Sequence, residues 1–138
     1  FETTGWRGVL EGDAGSPLPE AFPSEPGQLF PLYHVLAEIG AFAGGEAIAT
    51  CSSAPLRIAS LVLMQTHREC LLLANLTDQP ETVRITGDRR MSRGQRIDWI
   101  ATDGWRRDPR FFSQAPYVAD SNEAIELPPF GLARFELL

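Results

Sequence analysis

Chemistry in this chain is first sought at its amino end, where Glu2, Thr3, Thr4, Gly5, Trp6 and Arg7 follow one another. A carboxylate, an indole and a guanidinium so close together suit a cleft for a polyhydroxylated ligand. Trp6 can stack on a ring face, Arg7 can hold a carboxylate or hydroxyl, and Glu2 can act as an acid or base. Glu2 is therefore the candidate catalytic residue, and Trp6 and Arg7 are candidate substrate-binding residues. The structural alternative has Glu2 paired with Arg7 and Trp6 packed beneath the following loop. No second carboxylate can be placed opposite Glu2 from sequence, so the two-carboxylate arrangement of glycoside hydrolysis is not demonstrable in this chain.

The remaining reactive side chains read as structural. His34 precedes Glu38 at a spacing that shares one helical face, which predicts a surface pair. His67 stands beside Arg68 and Glu69 in an expected turn and should be solvated. Cys51 and Cys70 lie in apolar, strand-like segments and are expected to be buried, reduced thiols. Neither has a neighbour at metal-ligand spacing, so no metal and no cofactor are expected. Asn75-Leu76-Thr77 matches the glycosylation acceptor pattern, but it sits in an expected strand and is given no weight. Among the aromatics, Trp99 alternates with Ile97 as a core residue would. Trp105, Phe112 and Tyr117, together with Phe111, are weaker candidates for a sugar-stacking platform, with burial as the alternative. Nucleophile-elbow, phosphate-loop and C-x-x-C patterns do not occur.

The elements that must position these groups follow from periodicity. Residues 1–5 read as the end of a strand. Residues 7–27, rich in Gly, Pro, Ser and acidic groups, read as a long loop. Leu32, Val35, Leu36, Ile39 and Phe42 recur on one helical face, Pro31 suits a first turn, and Gly44-Gly45 suits a stop, so a helix is expected over 29–43. Beyond Gly45 the helical period is replaced by short segments at 46–52, 56–65, 69–76, 81–86, 95–101, 123–127 and 131–138, divided by turn formers. Segment 103–122 reads as a long ordered loop. The expected class is mainly β, an antiparallel β-sandwich of about seven to eight strands, and Pro128-Pro129 should bend the chain from one sheet edge to the next. The stretches RIASLVLM and CLLLANL are apolar on both alternating faces, so a second apolar surface must cover them.

Composition narrows the partners. Of 138 residues, 12 are basic, all of them arginine, against 18 acidic, for a formal charge of -6. The arginines are scattered rather than striped, which argues against nucleic acid. Membrane association is not expected, because no apolar run approaches the roughly 18 residues of a spanning helix. The all-arginine usage suggests a bacterial source of high GC content, and a cytoplasmic location is expected. The start at Phe1, without a methionine, suggests a piece of a longer protein.

The stretches FETTGWRGV, FPLYHVLAEIGAF, LLLANLTDQPETVRITG and ELPPFGLARFELL resemble the C-terminal part of the bacterial D-apionate lactonase family. The resemblance implies residues 1–45 as the last strand-loop-helix unit of an α/β barrel and 46–138 as an accessory β-sandwich. The preceding barrel of the same parent is the implied partner, and a carbohydrate or sugar acid the implied ligand. The implied role is non-catalytic support of a lactonase or glycosidase-like hydrolase. The alternatives are a carbohydrate-binding module with an aromatic platform, and a small enzyme using Glu2 with a histidine.

Overall fold

In a computed structural model the described residues are 2–6, 8–87, 91–114, 117–118 and 124–138, with 117–118 described by backbone alone. Two compact units emerge. One comprises residues 1–41 and 102–114, the other 42–101 and 115–138. The first unit thus does not stop at a single boundary near residue 45, because segment 102–114 belongs with it.

The β-rich half of the sequence folds as its alternation requires. The strands are β1 (Glu46–Ile48), β2 (Ile58–Gln65), β3 (Arg68–Asn75), β4 (Glu81–Val83), β5 (Met91–Ile97), β6 (Tyr117–Val118), β7 (Ile125–Leu127) and β8 (Leu132–Leu137). All pairings are antiparallel, in a six-stranded sheet ordered β1-β2-β3-β8-β5-β6 and a two-stranded sheet of β4 and β7. The two layers share one core. Ile58, Val62, Leu71, Leu73, Ala133 and Phe135 from the large sheet pack with Ile125 and Leu127 from the small one. Since antiparallel partners share a face, the pairing of Leu71 with Phe135 and of Leu73 with Ala133 sets which side of the large sheet meets the small sheet. This is the expected antiparallel β-sandwich. Leu127 is 0% exposed, and burying such a side chain contributes on the order of 1.5–3 kcal/mol.

The opposite face of the large sheet is buried too, at Leu63, Cys70, Leu72, Ile97 and Leu132, as the doubly apolar sequence of β2 and β3 requires. There Gln95 accepts a 3.2 Å hydrogen bond from Arg134. Gly94 is dictated by packing, because a Cβ at that position would lie 2.2 Å from the Phe135 ring.

A polar knot fastens the two layers at one end. Asn75 is 2% exposed, and its amide nitrogen donates to the carbonyls of Gln79 at 2.7 Å and Pro128 at 2.9 Å. Its side-chain oxygen accepts from the Thr77 amide at 2.9 Å and the Thr77 hydroxyl at 2.8 Å. The corner at Pro128-Pro129 carries the chain from β7 in the small sheet to β8 in the large one, as the sequence suggested. It is closed by the Phe130 amide donating to Thr77 and the Asn75 amide to Gly131, both at 2.9 Å. Phe130 takes a φ of 53°, a left-handed position that an L side chain rarely adopts. Arg57, just before β2, bonds Glu81 of β4 through Nε at 2.8 Å and Nη2 at 2.5 Å, and Arg96 of β5 donates to the Glu126 carbonyl of β7 at 2.7 Å.

Several local expectations change. Strand β5 begins at Met91 and ends at Ile97, so Trp99 is a buried turn residue and not a strand residue. Cys51 is exposed and outside any strand, whereas Cys70 is buried in β3; they form no disulfide. Segment 103–122 is not one loop: it holds a 3-10 turn, Gly104–Arg106, the short helix α2, Phe111–Gln114, and β6.

The first unit is built differently. Helix α1 (Pro31–Gly40) is shorter than the expected 29–43, ending where the turn from Phe42 to Gly45 begins. Leu36 is 41% exposed, and the side chain this helix buries is His34, at 1%. No strand forms over residues 2–6; Thr4 makes an isolated bridge to Leu10, and Leu10 another to Leu29. Glu11 organises the long loop. At 2% exposure its carboxylate accepts from the Gly12 amide at 2.9 Å and from the Ser24 hydroxyl, and its backbone amide donates to Gln28 at 2.7 Å.

Candidate functional site

The candidate residues at the amino end stand on a tight turn. The Gly8 amide donates to the Gly5 carbonyl at 2.7 Å, and the Gly5 amide donates to Leu10 at 2.8 Å, placing Trp6 at the tip. Both glycines are required. Gly5 has a φ of 107°, and a Cβ on Gly8 would lie 2.7 Å from the Glu2 carbonyl oxygen. Trp6 is half-buried, its ring centroid 4.8 Å from that of Phe22 at an interplanar angle of 37°. Glu2 is exposed, and its Oε2 lies 3.7 Å from the point a Cβ on Gly5 would occupy. Arg7 lies outside the described residues.

Two of the platform aromatics are buried. Trp105 is 5% exposed and Phe112 is 2% exposed, so the faces that a stacking platform must present are covered. Trp105 instead anchors the first unit. Its indole nitrogen donates to Thr102 at 2.6 Å, and its carbonyl lies 2.9 Å from Nε2 of His34. His34 is thus a buried structural residue and not a surface one. Its ring stands edge-on to Phe111 at 6.5 Å, and Phe111 in turn fits against Gly104, where a Cβ would sit 2.7 Å from the ring. Tyr117 belongs to the other unit, in β6, and its side chain lies outside the described residues. His67 is exposed, in the turn between β2 and β3.

Sequence reasoning missed an open cleft of about 500 Å³ within the first unit, lined by Glu25, Asp103, Gly104, Arg106 and Arg107. Arg107 pairs with Glu25, and Nε of Arg106 lies 3.1 Å from Asp103. The i,i+3 spacing of Asp103 and Arg106 was the available signal; the approach of Glu25 across 82 residues had none. Two arginine forks beside two carboxylates could recognise a hydroxyl-rich or anionic ligand by exchanging these partners. Among the described residues no group of three or more His, Cys, Asp or Glu side chains could hold a metal ion, and no helix is long and apolar enough to cross a membrane.

The sandwich decides the family. Residues 55–135, more than half of the chain, match the model for the D-apionate lactonase C-terminal immunoglobulin-like domain. The chain belongs to this family. The match takes in β2 to β5, the knot at Asn75, the proline corner and most of β8. Two solved structures show the same fold at low identity. A conserved exported protein from Bacteroides fragilis superposes with a TM-score of 0.57 at 12% identity, covering 94% of this chain and 26% of that one. The MutB E254Q mutant in complex with the substrate sucrose gives 0.51 at 10% identity, covering 75% and 16%. This immunoglobulin-like chain therefore spans about a quarter or less of the length of those proteins. No curated protein matches it.

Proposed function

We propose that this immunoglobulin-like domain is a non-catalytic accessory module of a carbohydrate-active hydrolase, a sugar-acid lactonase or a glycosidase-like enzyme, and that it supports a preceding catalytic barrel. The observation that carries this reading is the family match over residues 55–135, in a family described as the C-terminal domain of a lactonase. Residues 1–45 then supply the closing loop and helix of that barrel, the strand expected at its start not forming over residues 2–6. Glu2, Trp6 and Arg7 form the edge of its substrate cleft, since loops after barrel strands build such sites. A bacterial cytoplasmic setting agrees with two cysteines that form no disulfide. Burial of Trp105 and Phe112 weighs against the alternative of a binding module built on those aromatics.

The test compares hydrolysis of sugar-acid lactones and aryl glycosides by the longer parent, by this chain, and by the parent carrying Glu2→Gln. Activity in the parent alone, reduced in the variant, is the expected result. Turnover by this chain alone would overturn the accessory role.

A further inference from the structure

The cleft beside Glu25 in the first unit encloses about 500 Å³, within the roughly 300–1,000 Å³ of small-molecule sites. Arg106, one of its lining residues, is held in place before any ligand arrives. Its amide donates to the Asp103 carbonyl at 3.1 Å, and its own carbonyl accepts from the Leu29 amide at 2.8 Å. Its guanidinium carbon lies 5.1 Å from the centre of the Trp105 ring, and that indole is 5% exposed and tied to Thr102. Attraction between a guanidinium and an aromatic face steadies the fork. The fork is nevertheless largely unspent. Its Nε lies 3.1 Å from Oδ1 of Asp103 without the alignment of a hydrogen bond, and among the described residues Nη1 and Nη2 have neither a hydrogen bond nor an ion pair. Arg107 differs, since Glu25 engages it. A steadied guanidinium whose end-on edge is unspent, in a cleft, matches the two oxygens of a carboxylate. Asp103 sits at the Nε edge of the same fork with its side chain 84% exposed, so a donor on the carbon next to that carboxylate would meet an acceptor.

We propose that Arg106 and Asp103 form a binding site for a small carboxylate that carries a hydrogen-bond donor on the adjacent carbon, an α-hydroxy acid or an α-amino acid. Arg106 takes the carboxylate through Nη1 and Nη2, Asp103 takes the hydroxyl or ammonium, and the Glu25–Arg107 pair supplies a further wall of the cleft. The site is separate from Glu2 and does not depend on the accessory role.

The test follows the backbone amide signals of Gly104, Arg106 and Arg107 in this chain by NMR, at constant ionic strength, during titration with lactate, alanine, propionate and inorganic phosphate. The three acids share a carboxylate and differ in the group on the adjacent carbon: a hydroxyl, an ammonium or hydrogen alone. The expected result is a saturable shift at these amides with lactate or alanine while β3 and β8 stay unmoved. Propionate should bind about tenfold more weakly, for want of one charged hydrogen bond. Whichever of lactate and alanine binds more tightly names the class of acid. Arg106→Lys keeps the charge but loses the fork, and should weaken binding of both about tenfold with the melting temperature unchanged. Asp103 makes no capping bond to the 3-10 turn, so Asp103→Ala should keep the fold while bringing the three acids to one affinity. Propionate binding as tightly as lactate and alanine, phosphate binding more tightly than either, no saturable shift with any of the four, or undiminished binding in Arg106→Lys would overturn the proposal.

Discussion

The two units of this chain solve the same problem with different means. In the sandwich, hydrogen bonds run in ladders between strands, and the apolar core is distributed over many residues of both sheets. In the first unit, regular structure is confined to α1, the 3-10 turn and α2, and order depends on single buried polar side chains, Glu11 and His34 above all. A ladder loses one bond when one residue changes. A stitch loses the segment it holds. The first unit should therefore open locally at lower free energy than the sandwich, and hydrogen exchange should show earlier amide exchange in residues 8–30 than in β3 and β8.

The largest expected effect lies in the sandwich core. Leu127→Ala should destabilise unfolding by about 2–5 kcal/mol, because Leu127 is wholly buried between the layers and its loss leaves a cavity. A denaturant midpoint unchanged from wild type would show that the two sheets do not share one core. Asn75→Ala comes next, at about 3 kcal/mol, since it strips hydrogen bonds from the Gln79 and Pro128 carbonyls and from Thr77 within a buried knot. Asn75→Asp should recover only part of this, as a carboxylate keeps the acceptor role toward Thr77 but loses the donor. His34→Leu should cost about 1–3 kcal/mol by leaving the Trp105 carbonyl unbonded. Its signature is regional: faster exchange in the first unit with β3 and β8 unmoved. Uniform acceleration throughout the chain would erase the distinction between stitched and laddered units. The smallest effect belongs to Arg107→Ala. Its pair with Glu25 is mostly exposed on both sides, so the change in midpoint should correspond to less than about 1 kcal/mol.

How far the sequence disclosed these features depended on the kind of force involved. The doubly apolar runs of β2 and β3 and the proline corner were readable because burial on two faces and the missing amide of proline leave marks in residue type. The start of β5 left no mark in the sequence because Ser92 to Arg96, five of its seven residues, carry no apolar side chain. Its place in the sheet is fixed by pairing with β8 and by the space Gly94 leaves for Phe135, not by its own pattern. His34 was misassigned for a related reason. A histidine on an amphipathic helix looks like a surface residue until a carbonyl 71 residues away satisfies it. Glu11 escaped notice because a buried carboxylate bonded by a backbone amide and a serine has no motif. At the candidate site, Trp6 was visible from its type and neighbours, whereas Phe22 became relevant only once the loop folded back against it. The cleft beside Glu25 had only the short-range signal of Asp103 and Arg106.

The separation between His34 and Trp105 also has a meaning during synthesis. Helix α1 leaves the ribosome 71 residues ahead of the carbonyl that accepts its buried imidazole. At about 5–20 residues per second that interval is roughly 4–14 s. Throughout it the nascent helix must wait with a polar ring and an apolar stripe uncovered, while β1, β2 and β3 emerge and are able to pair. The first unit nevertheless receives its last piece, residues 102–114, before the sandwich can close, because β8, which joins β3 to β5, and β7, the partner of β4, are translated later still.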